Sequence, residues 1–385
     1  MKENRLKAAR DCAFLAGCFL LIWQGTFFSY AWVDGYKASF VTPGSFIVRI
    51  LAILAMTAGI VLYLADKRNK RRLTYFLISA GAVAVSLMVY RSSGDMYFAL
   101  TVVLVVSAIG VDYRKILKLY FASLAAAFCL MLVLLRAGYL NNIKVDFSYG
   151  TGAAMGALHP NSFGRYLLVL VLLYWLLWGK KHPWITTGVS WACAAASCIV
   201  AVSRTPAVLL AAFPVLVWIF RAAGKNGSTS KKGNASKSDK RGKAFGFVMY
   251  VVIAVSFIGA AAATVLLHRQ TSIGPDDFFW NFTERFSLAE DFYDEYGASW
   301  FGLPPDEKAI DMGYARSLLY DGYAGALMMF AGTLGINARL IKNKRWDIML
   351  VMLVMLAYAF MEHVFDVPAY AFISTALLAD LSREV

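Results

Sequence analysis

Charged residues are scarce in this chain of 385 residues: they make up 16% of the sequence, whereas hydrophobic residues make up 59% and the mean hydropathy is +0.58. This balance excludes an ordinary soluble globular domain. The five cysteines all lie within apolar runs, which argues against an extracellular disulfide framework or a metal cluster. No P-loop or Rossmann glycine pattern occurs on the expected cytoplasmic side, so we expect no nucleotide site and no cofactor. The composition predicts an integral membrane protein.

Long apolar runs recur along the whole chain. Because a helix rises 1.5 Å per residue, about 20 apolar residues cross a hydrocarbon core. The runs predict an all-α polytopic membrane protein with about twelve transmembrane helices. No small-residue cleavage site clearly follows the first run, so we expect that helix to be retained. The expected spans are 12–33, 45–65, 73–90, 97–111, 119–137, 164–179, 184–202, 206–220, 244–267, 315–335, 346–361 and 367–380.

Basic residues outnumber acidic ones, 38 to 24, and cluster in alternate connections between these spans. Positive residues resist translocation, so the basic side is predicted to be cytoplasmic, together with both termini, in the cell (cytoplasmic) membrane. This rule explains most of the net charge of +14. The charges are dispersed over many short loops, so we expect no nucleic-acid partner.

Residues 221–243, "RAAGKNGSTSKKGNASKSDKRGK", predict a basic, flexible cytoplasmic linker. It separates helices 1–8 in 1–220 from helices 9–12 in 244–385. The opposite face carries two polar segments, 138–163 and the large extracytoplasmic loop 268–314, whose "FFWNFTERFSLAEDFYDEY" is a candidate surface helix. No convincing internal repeat occurs, which lowers the odds of a transporter built on inverted repeats.

Several arginines lie on the expected outer side, against the topology rule. An arginine deep in a helix costs about 2.5–3.5 kcal/mol on insertion scales unless it snorkels, pairs or faces a polar cavity. Taken singly, each arginine is equally consistent with a side chain that snorkels to the membrane interface. Taken together, the arginines favour the binding of a strong anion such as a lipid diphosphate, which guanidinium groups bind bidentately. The candidate substrate-binding arginines are Arg49, Arg91, Arg136, Arg165 and Arg316, and Arg204 is a candidate catalytic residue.

The stretch "ALHPNSFGRY", 157–166, places Pro160 where a first helical turn accepts proline. The sixth span is therefore predicted to begin here, with His159 and Asn161 at its outer end. His159 is a candidate catalytic residue that accepts a proton or donates to a phosphate oxygen; the alternative is a capping or packing histidine. Asn161 is a candidate substrate-binding residue. A second short outer turn, "SRTP" at 203–206, holds Arg204.

Two later segments add acids near the outer face. Residues 300–330 combine a Gly/Pro-rich break with Asp311, a candidate catalytic residue, and Tyr314, a candidate substrate-binding residue. Asp321 is expected inside the next membrane helix, where an ionisable group needs a partner or a cavity. The turn "YAFMEHVFDVPAY", 358–370, carries the candidate catalytic pair Glu362 and His363, for which the alternative is an ordinary interfacial hairpin.

Together, the "HPN" after a glycine-rich outer loop, the "SR" turn and "FGLPPDEKAIDMGYARSLLYDGYAGAL" resemble the O-antigen polymerase and O-antigen ligase superfamily, particularly capsule and exopolysaccharide polymerases of Gram-positive bacteria. The late segment is similar to a family pattern containing Asp-Asn-x-Tyr, but Met312 replaces the Asn. The resemblance implies a metal-independent membrane glycosyltransferase that moves a glycan from a polyprenyl diphosphate carrier to an acceptor glycan outside the membrane. The resemblance implies family roles in this chain only for His159, His363, Arg136, Arg165 and Arg204.

Under this resemblance the protein mainly offsets charge on the leaving diphosphate and orients the acceptor oxygen. One base among His159, Asp311, Glu362 and His363 takes the acceptor proton. The first expectation is a polymerase of lipid-linked repeat units, working with a chain-length regulator and a flippase. The alternatives are a polysaccharide ligase and a flippase or transporter; gathering of the charges at one face favours an enzyme.

Overall fold

The computed structural model describes residues 2–65, 72–147, 150–225, 235–266, 280–304, 310, 312–364 and 366–382. The chain is mostly helical, at 78%. The helices are α1 (Lys2–Thr26), α2 (Asp34–Tyr36), α3 (Thr42–Ala65), α4 (Arg72–Ser93), α5 (Met96–Ser107), α6 (Tyr113–Arg136), α7 (Pro160–Tyr174), α8 (Pro183–Ile199), α9 (Arg204–Lys225), α10 (Ala235–Leu266), α11 (Trp280–Tyr296), α12 (Gly313–Leu319), α13 (Gly322–Lys342), α14 (Trp346–Ala359) and α15 (Phe372–Thr375). Two π-helical segments, Lys37–Val41 and Trp175–Gly179, and two 3-10 turns, Phe27–Ser29 and Pro368–Tyr370, complete them.

Eight helical stretches of the described chain are long and apolar enough to cross a membrane, and α5 and α14 are shorter apolar helices. This is compatible with the all-α polytopic membrane protein that the sequence predicts, although the number twelve is not confirmed. The eight are Arg5–Ser29, Asp34–Ala65, Arg72–Ser93, Tyr113–Arg136, Pro160–Gly179, Arg204–Arg221, Ala244–Ala262 and Gly322–Lys342.

The predicted span 315–335 is not one helix. Its residues are divided between α12 and α13, and the break follows from the backbone at Gly322, which has a φ of +70°. This left-handed conformation suits glycine and cannot continue a right-handed helix. Asp321 is therefore the residue before α13 rather than a residue inside a membrane helix, which corrects the sequence prediction.

The predicted last span, 367–380, is wrong. Pro368 opens a 3-10 turn, and only four residues, α15, follow as α-helix. The backbone of Asp380 then pairs with a loop instead of continuing a helix: its N–H donates to the Val111 carbonyl at 2.7 Å. The apolar segment 367–380 therefore consists mainly of turns and not of a membrane-spanning helix.

A β-hairpin is the departure from an all-α fold within the described residues. Strands β1 (Lys144–Phe147) and β2 (Gly150–Ala153) pair antiparallel, with Lys144 opposite Ala153 and Phe147 opposite Gly150. They lie in the predicted outer segment 138–163, where no strand was expected from the sequence.

The chain divides into two compact units, each made of separated segments. The first contains Met1–Tyr63, Ser107–Asn234 and Ala379–Val385, and the second contains Leu64–Val106 and Ala235–Leu378. In the first unit α7 contacts α6, α8 and α9, and 72% of its candidate span is buried. In the second, α13 contacts α4, α10, α12 and α14.

Parts of two predicted segments lie outside the described residues. These are 226–234 of the linker 221–243, and 268–279, 305–309 and 311 of the loop 268–314. The helix predicted within that loop is confirmed as α11.

Candidate functional site

His159 caps the amino end of α7. Its backbone is extended, Pro160 takes the first helical position, and His159 Nδ1 accepts a hydrogen bond from the Asn161 backbone N–H at 3.2 Å. The predicted helix start is therefore confirmed. Because an accepting Nδ1 carries no proton, the neutral ring holds its proton on Nε2. In this geometry His159 is a hydrogen-bond donor through Nε2, which favours donation to a phosphate oxygen over proton abstraction.

A buried hydrogen bond joins the "HPN" and "SR" stretches. The Ser203 hydroxyl donates to Asn161 Oδ1 at 2.9 Å, and Ser203 is only 1% exposed. The same turn is fixed from behind by the Ser197 hydroxyl, which donates to the Ser203 carbonyl at 3.1 Å. Helix α9 begins at the next residue, Arg204, which is exposed. The amino ends of α7 and α9 are therefore held side by side.

Gly164 allows this close approach. A Cβ atom at this position would lie 2.8 Å from Pro206 Cγ and 2.8 Å from Ser197 Oγ. Any larger residue would push the first turn of α7 away from α9, because real Cβ contacts are longer than this. Gly164 is thus a packing residue that positions the neighbouring polar groups.

The hairpin lies against the same turn. The Ala153 backbone N–H donates to the Val200 carbonyl at 2.9 Å, and the Phe147 ring lies 6.0 Å from the His159 ring in an edge-to-face arrangement. Gly152 makes room for the Ala201 carbonyl, which a Cβ atom there would strike. The hairpin therefore helps to hold the His159 imidazole.

We call His159, Asn161, Arg165, Ser203 and Arg204 the amino-end cluster. Two helix amino ends add partial positive charge to the two arginines, of which Arg165 is half-buried one turn into α7. Backbone N–H groups, an imidazole donor and guanidinium groups are the usual ligands of phosphate oxygens. This arrangement suits a polyanion.

The other predicted arginines of the first unit lie on other helices. Arg49, on α3, is bound by the side-chain amide of Gln24, whose oxygen accepts from Arg49 Nη2 at 2.9 Å and Nε at 3.0 Å when the amide is oriented toward it. Arg136 is the exposed last residue of α6. Arg91 belongs to the second unit, where it is exposed in the last turn of α4.

Arg316, in the second unit, is neutralised by carboxylates. Its Nη2 forms an ion pair with Asp95 Oδ2, and its Nε lies 3.6 Å from Asp366 Oδ2. The side chains of Arg316, Asp95 and Asp366 are 15%, 5% and 3% exposed. The Tyr320 ring covers the guanidinium, 4.6 Å from its central carbon. Arg316, predicted to bind substrate, is thus engaged by the protein itself.

Asp366 also holds His363. Nε2 of His363 forms a short ion pair with Asp366 Oδ1. Burial alone would raise the pKa of Asp366, but the charge and hydrogen bond of His363, with the charge of Arg316, lower it to about 2. An ionised Asp366 accepts from Nε2 of His363 and so fixes the orientation of the imidazole ring.

Asp321 lies beside this group. Its side chain is 0% exposed, and neither carboxyl oxygen has a hydrogen-bond donor among the described residues. Burial, together with the charges of Asp366 and Asp95, raises the pKa of Asp321 well above its usual range, although Arg316 opposes the shift. We call Asp95, Arg316, Asp321, His363 and Asp366 the buried charge cluster.

The remaining predicted residues occupy different settings. Tyr314 is buried, and its hydroxyl donates to the Leu356 carbonyl at 3.0 Å. Glu362 is buried at 4% exposure. Asp311 lies outside the described residues. In the ranges that the structure covers, no three His, Cys, Asp or Glu side chains are grouped to hold a metal ion.

Sequence reasoning missed Asp95 and Thr101. Asp95 Oδ1 accepts from the Tyr97 N–H at 2.9 Å and so caps α5, while its other oxygen meets Arg316. The Thr101 hydroxyl donates to the Asp366 carbonyl at 2.7 Å. The sequence feature that could have indicated Asp95 is the position of this acid inside the apolar stretch "SSGDMYFAL".

No family model, curated protein or solved structure matches this chain.

Proposed function

We propose that this protein is a metal-independent membrane glycosyltransferase that polymerises polyprenyl-diphosphate-linked oligosaccharide repeat units into a cell-surface polysaccharide. The observation that carries the proposal is the Ser203–Asn161 hydrogen bond, which holds two helix amino ends together with His159 and Arg204. Such a grouping in a helical chain with eight candidate membrane spans suits a lipid-linked diphosphate. The proposal also rests on the family resemblance of the "HPN", "SR" and late-loop stretches.

In the proposed reaction the bond between the anomeric carbon and the diphosphate oxygen breaks, and the diphosphate leaves with the electron pair. The acceptor hydroxyl oxygen forms the new glycosidic bond and loses its proton to a base. Arg165 and Arg204 offset the charge that develops on the leaving group, and the Nε2–H of His159 donates to one of its oxygens. The amino-end cluster therefore serves as the diphosphate site.

The base that takes the acceptor proton is one of His159, Asp311, Glu362 and His363. Nδ1 of His159 already accepts the Asn161 N–H, which argues against His159, and Glu362 is buried at 4% exposure. The cytoplasmic termini and the partner proteins expected from the sequence belong to the same proposal.

The test uses cells that lack this protein and are complemented with variants, followed by measurement of glycan length on the lipid carrier and at the surface. Loss of the protein is expected to leave single repeat units on the carrier. Arg204→Ala removes charge-assisted hydrogen bonds worth about 1.5–3 kcal/mol, and is expected to slow polymerisation about ten- to hundredfold. His159→Ala is expected not to restore long chains.

Arg221→Ala is the matched control, because Arg221 lies near the other end of α9 and donates to the Lys180 carbonyl at 3.1 Å. It is expected to restore chain length while membrane insertion stays equal to that of Arg204→Ala. Full-length polymer on the carrier in deleted cells would instead identify a ligase, and unflipped units inside the cell would identify a flippase. Normal chains from Arg204→Ala and Arg165→Ala would refute the diphosphate site.

A further inference from the structure

The charges of the buried charge cluster do not balance unless Asp321 is neutral. Asp95 and Asp366 supply two negative charges, which are matched by Arg316 and, when its imidazole is charged, by His363. Asp321 is a third carboxyl group in the same enclosed volume, and no further cation pairs with it among the described residues. An isolated ionised carboxylate buried in this way is costly, and such a group usually takes up a proton instead.

The backbone fixes Asp321 in this position. Gly322, in its left-handed conformation, lies so close to Gly302 that a Cβ atom on either residue would strike the opposite backbone. The Tyr323 N–H donates to the Ser299 carbonyl at 3.0 Å and holds the first turn of α13 on the same loop. Asp321 therefore cannot turn outward without breaking this junction.

The groups that face Asp321 come from three other places in the second unit. Arg316 comes from α12, Asp95 precedes α5, and Asp366, which carries His363, follows α14. Asp366 and Asp95 oppose ionisation of Asp321, whereas Arg316 favours it. Removing the proton from Asp321 would thus add one negative charge to a group that already shares a single arginine.

We propose that Asp321 is a proton-binding site, and that its proton sets how Arg316 is shared between Asp321 and the carboxylates of Asp95 and Asp366. Deprotonation transfers the proton from the carboxyl oxygen to water and leaves a carboxylate that attracts Arg316 away from Asp366. Asp321 is a positioning residue, and its effect on catalysis rests on the proposed function, whereas its proton binding does not.

Infrared spectroscopy of the purified protein in lipid nanodiscs tests the proton site directly. At neutral pH the wild-type protein is expected to show the C=O stretching band of a protonated carboxylic acid, which shifts in D₂O. Asp321→Asn is expected to lose this band. Asp347→Asn is the matched control, because Asp347 pairs with Arg345 at 3.0 Å in the same unit, and it is expected to retain the band.

Absence of the band from the wild-type protein at neutral pH would overturn the proposal, as would its persistence in Asp321→Asn. Asp321→Glu is a second variant that keeps the test valid if Asp321→Asn fails to fold. It keeps a carboxyl group and is expected to shift the band rather than lose it. This measurement needs no substrate, so it stands even if the protein proves to be a ligase or a flippase.

A pH profile of polymerisation tests whether the proton on Asp321 affects the proposed reaction. Wild type and Asp321→Asn are expected to have the same profile at low pH, where both side chains are neutral. They are expected to separate at the pH where the infrared band of the wild type disappears. Superimposable profiles across that pH would overturn the effect of this proton on the proposed reaction, because a merely structural role of Asp321 would not produce a pH-dependent difference.

Discussion

Replacing Arg316 with glutamine distinguishes a structural ion pair from a substrate-binding arginine. The Arg316 side chain is 15% exposed and is shared between Asp95 and Asp366, so the change leaves Asp95 without its cation and Asp366 with His363 as its remaining partner. Removing one partner from a buried ion pair costs about 3–5 kcal/mol, whereas an exposed pair contributes about 0–1 kcal/mol. Loss of the contact with the Tyr320 ring adds about 0.5–2 kcal/mol. We expect Arg316→Gln to destabilise the protein by about 4 kcal/mol.

The assay is reversible unfolding of the full-length protein in mixed micelles, followed by near-ultraviolet circular dichroism. Arg91→Gln is the control, because Arg91 is exposed in the same unit and its loss is expected to change stability by no more than about 0.5 kcal/mol. Asp95→Asn combined with Arg316→Gln is expected to cost less than the sum of the two single changes, since the pair is lost only once.

A cost below about 1 kcal/mol for Arg316→Gln would refute this reasoning, because it would mean that the pair behaves as an exposed one. Strict additivity in the double variant would refute it as well. Either result, accompanied by a large loss of donor binding, would return Arg316 to the substrate-binding role that the sequence predicts.

Three further changes have defined outcomes. Gly164→Ala places a Cβ atom 2.8 Å from Pro206 Cγ and is expected to lower stability by about 1–3 kcal/mol in thermal unfolding; an unchanged transition would contradict the close packing. Thr101→Val removes the donor to the Asp366 carbonyl and is expected to lower stability by about 1–3 kcal/mol in the same assay. An unchanged stability would contradict the contribution of this hydrogen bond. Asp321→Asn is expected to raise the melting temperature at neutral pH, because the unfolded wild type releases a proton that its folded form retains. This gain should fade as the pH falls through the ordinary aspartate pKa of about 3.9, and a gain independent of pH would contradict it.

The sequence predicts features whose cause is local. Pro160 and the capping residue before it define the start of α7 within two residues, so the helix end and its polar groups follow from "HPN" alone. The turn before Arg204 is similarly local. Long apolar runs predict most candidate spans because hydropathy is a property of each segment by itself.

Features that depend on distant residues are not predictable in this way. Asp95 and Arg316 are 221 residues apart in the chain, and neither local sequence indicates that the two side chains meet. The break before α13 depends on Gly302 and Gly322 meeting across a loop, and a hydropathy average over 315–335 hides it. The same average hides the turns at 367–380, where Pro368 is the local residue that disfavours a continuous helix.

The arginines show why residue type alone does not define a binding site. The sequence assigns one anion-binding role to six arginines, but their partners differ in the structure. Arg316 faces two carboxylates, so its charge is neutralised before any ligand arrives, and Arg49 is bound by the amide of Gln24. Arg204 instead is exposed at the start of a helix whose preceding residue is hydrogen-bonded to the cap region of another helix. An anion at that position gains from fixed dipoles as well as from the guanidinium, so the strongest effect of arginine removal on diphosphate binding is expected at Arg204.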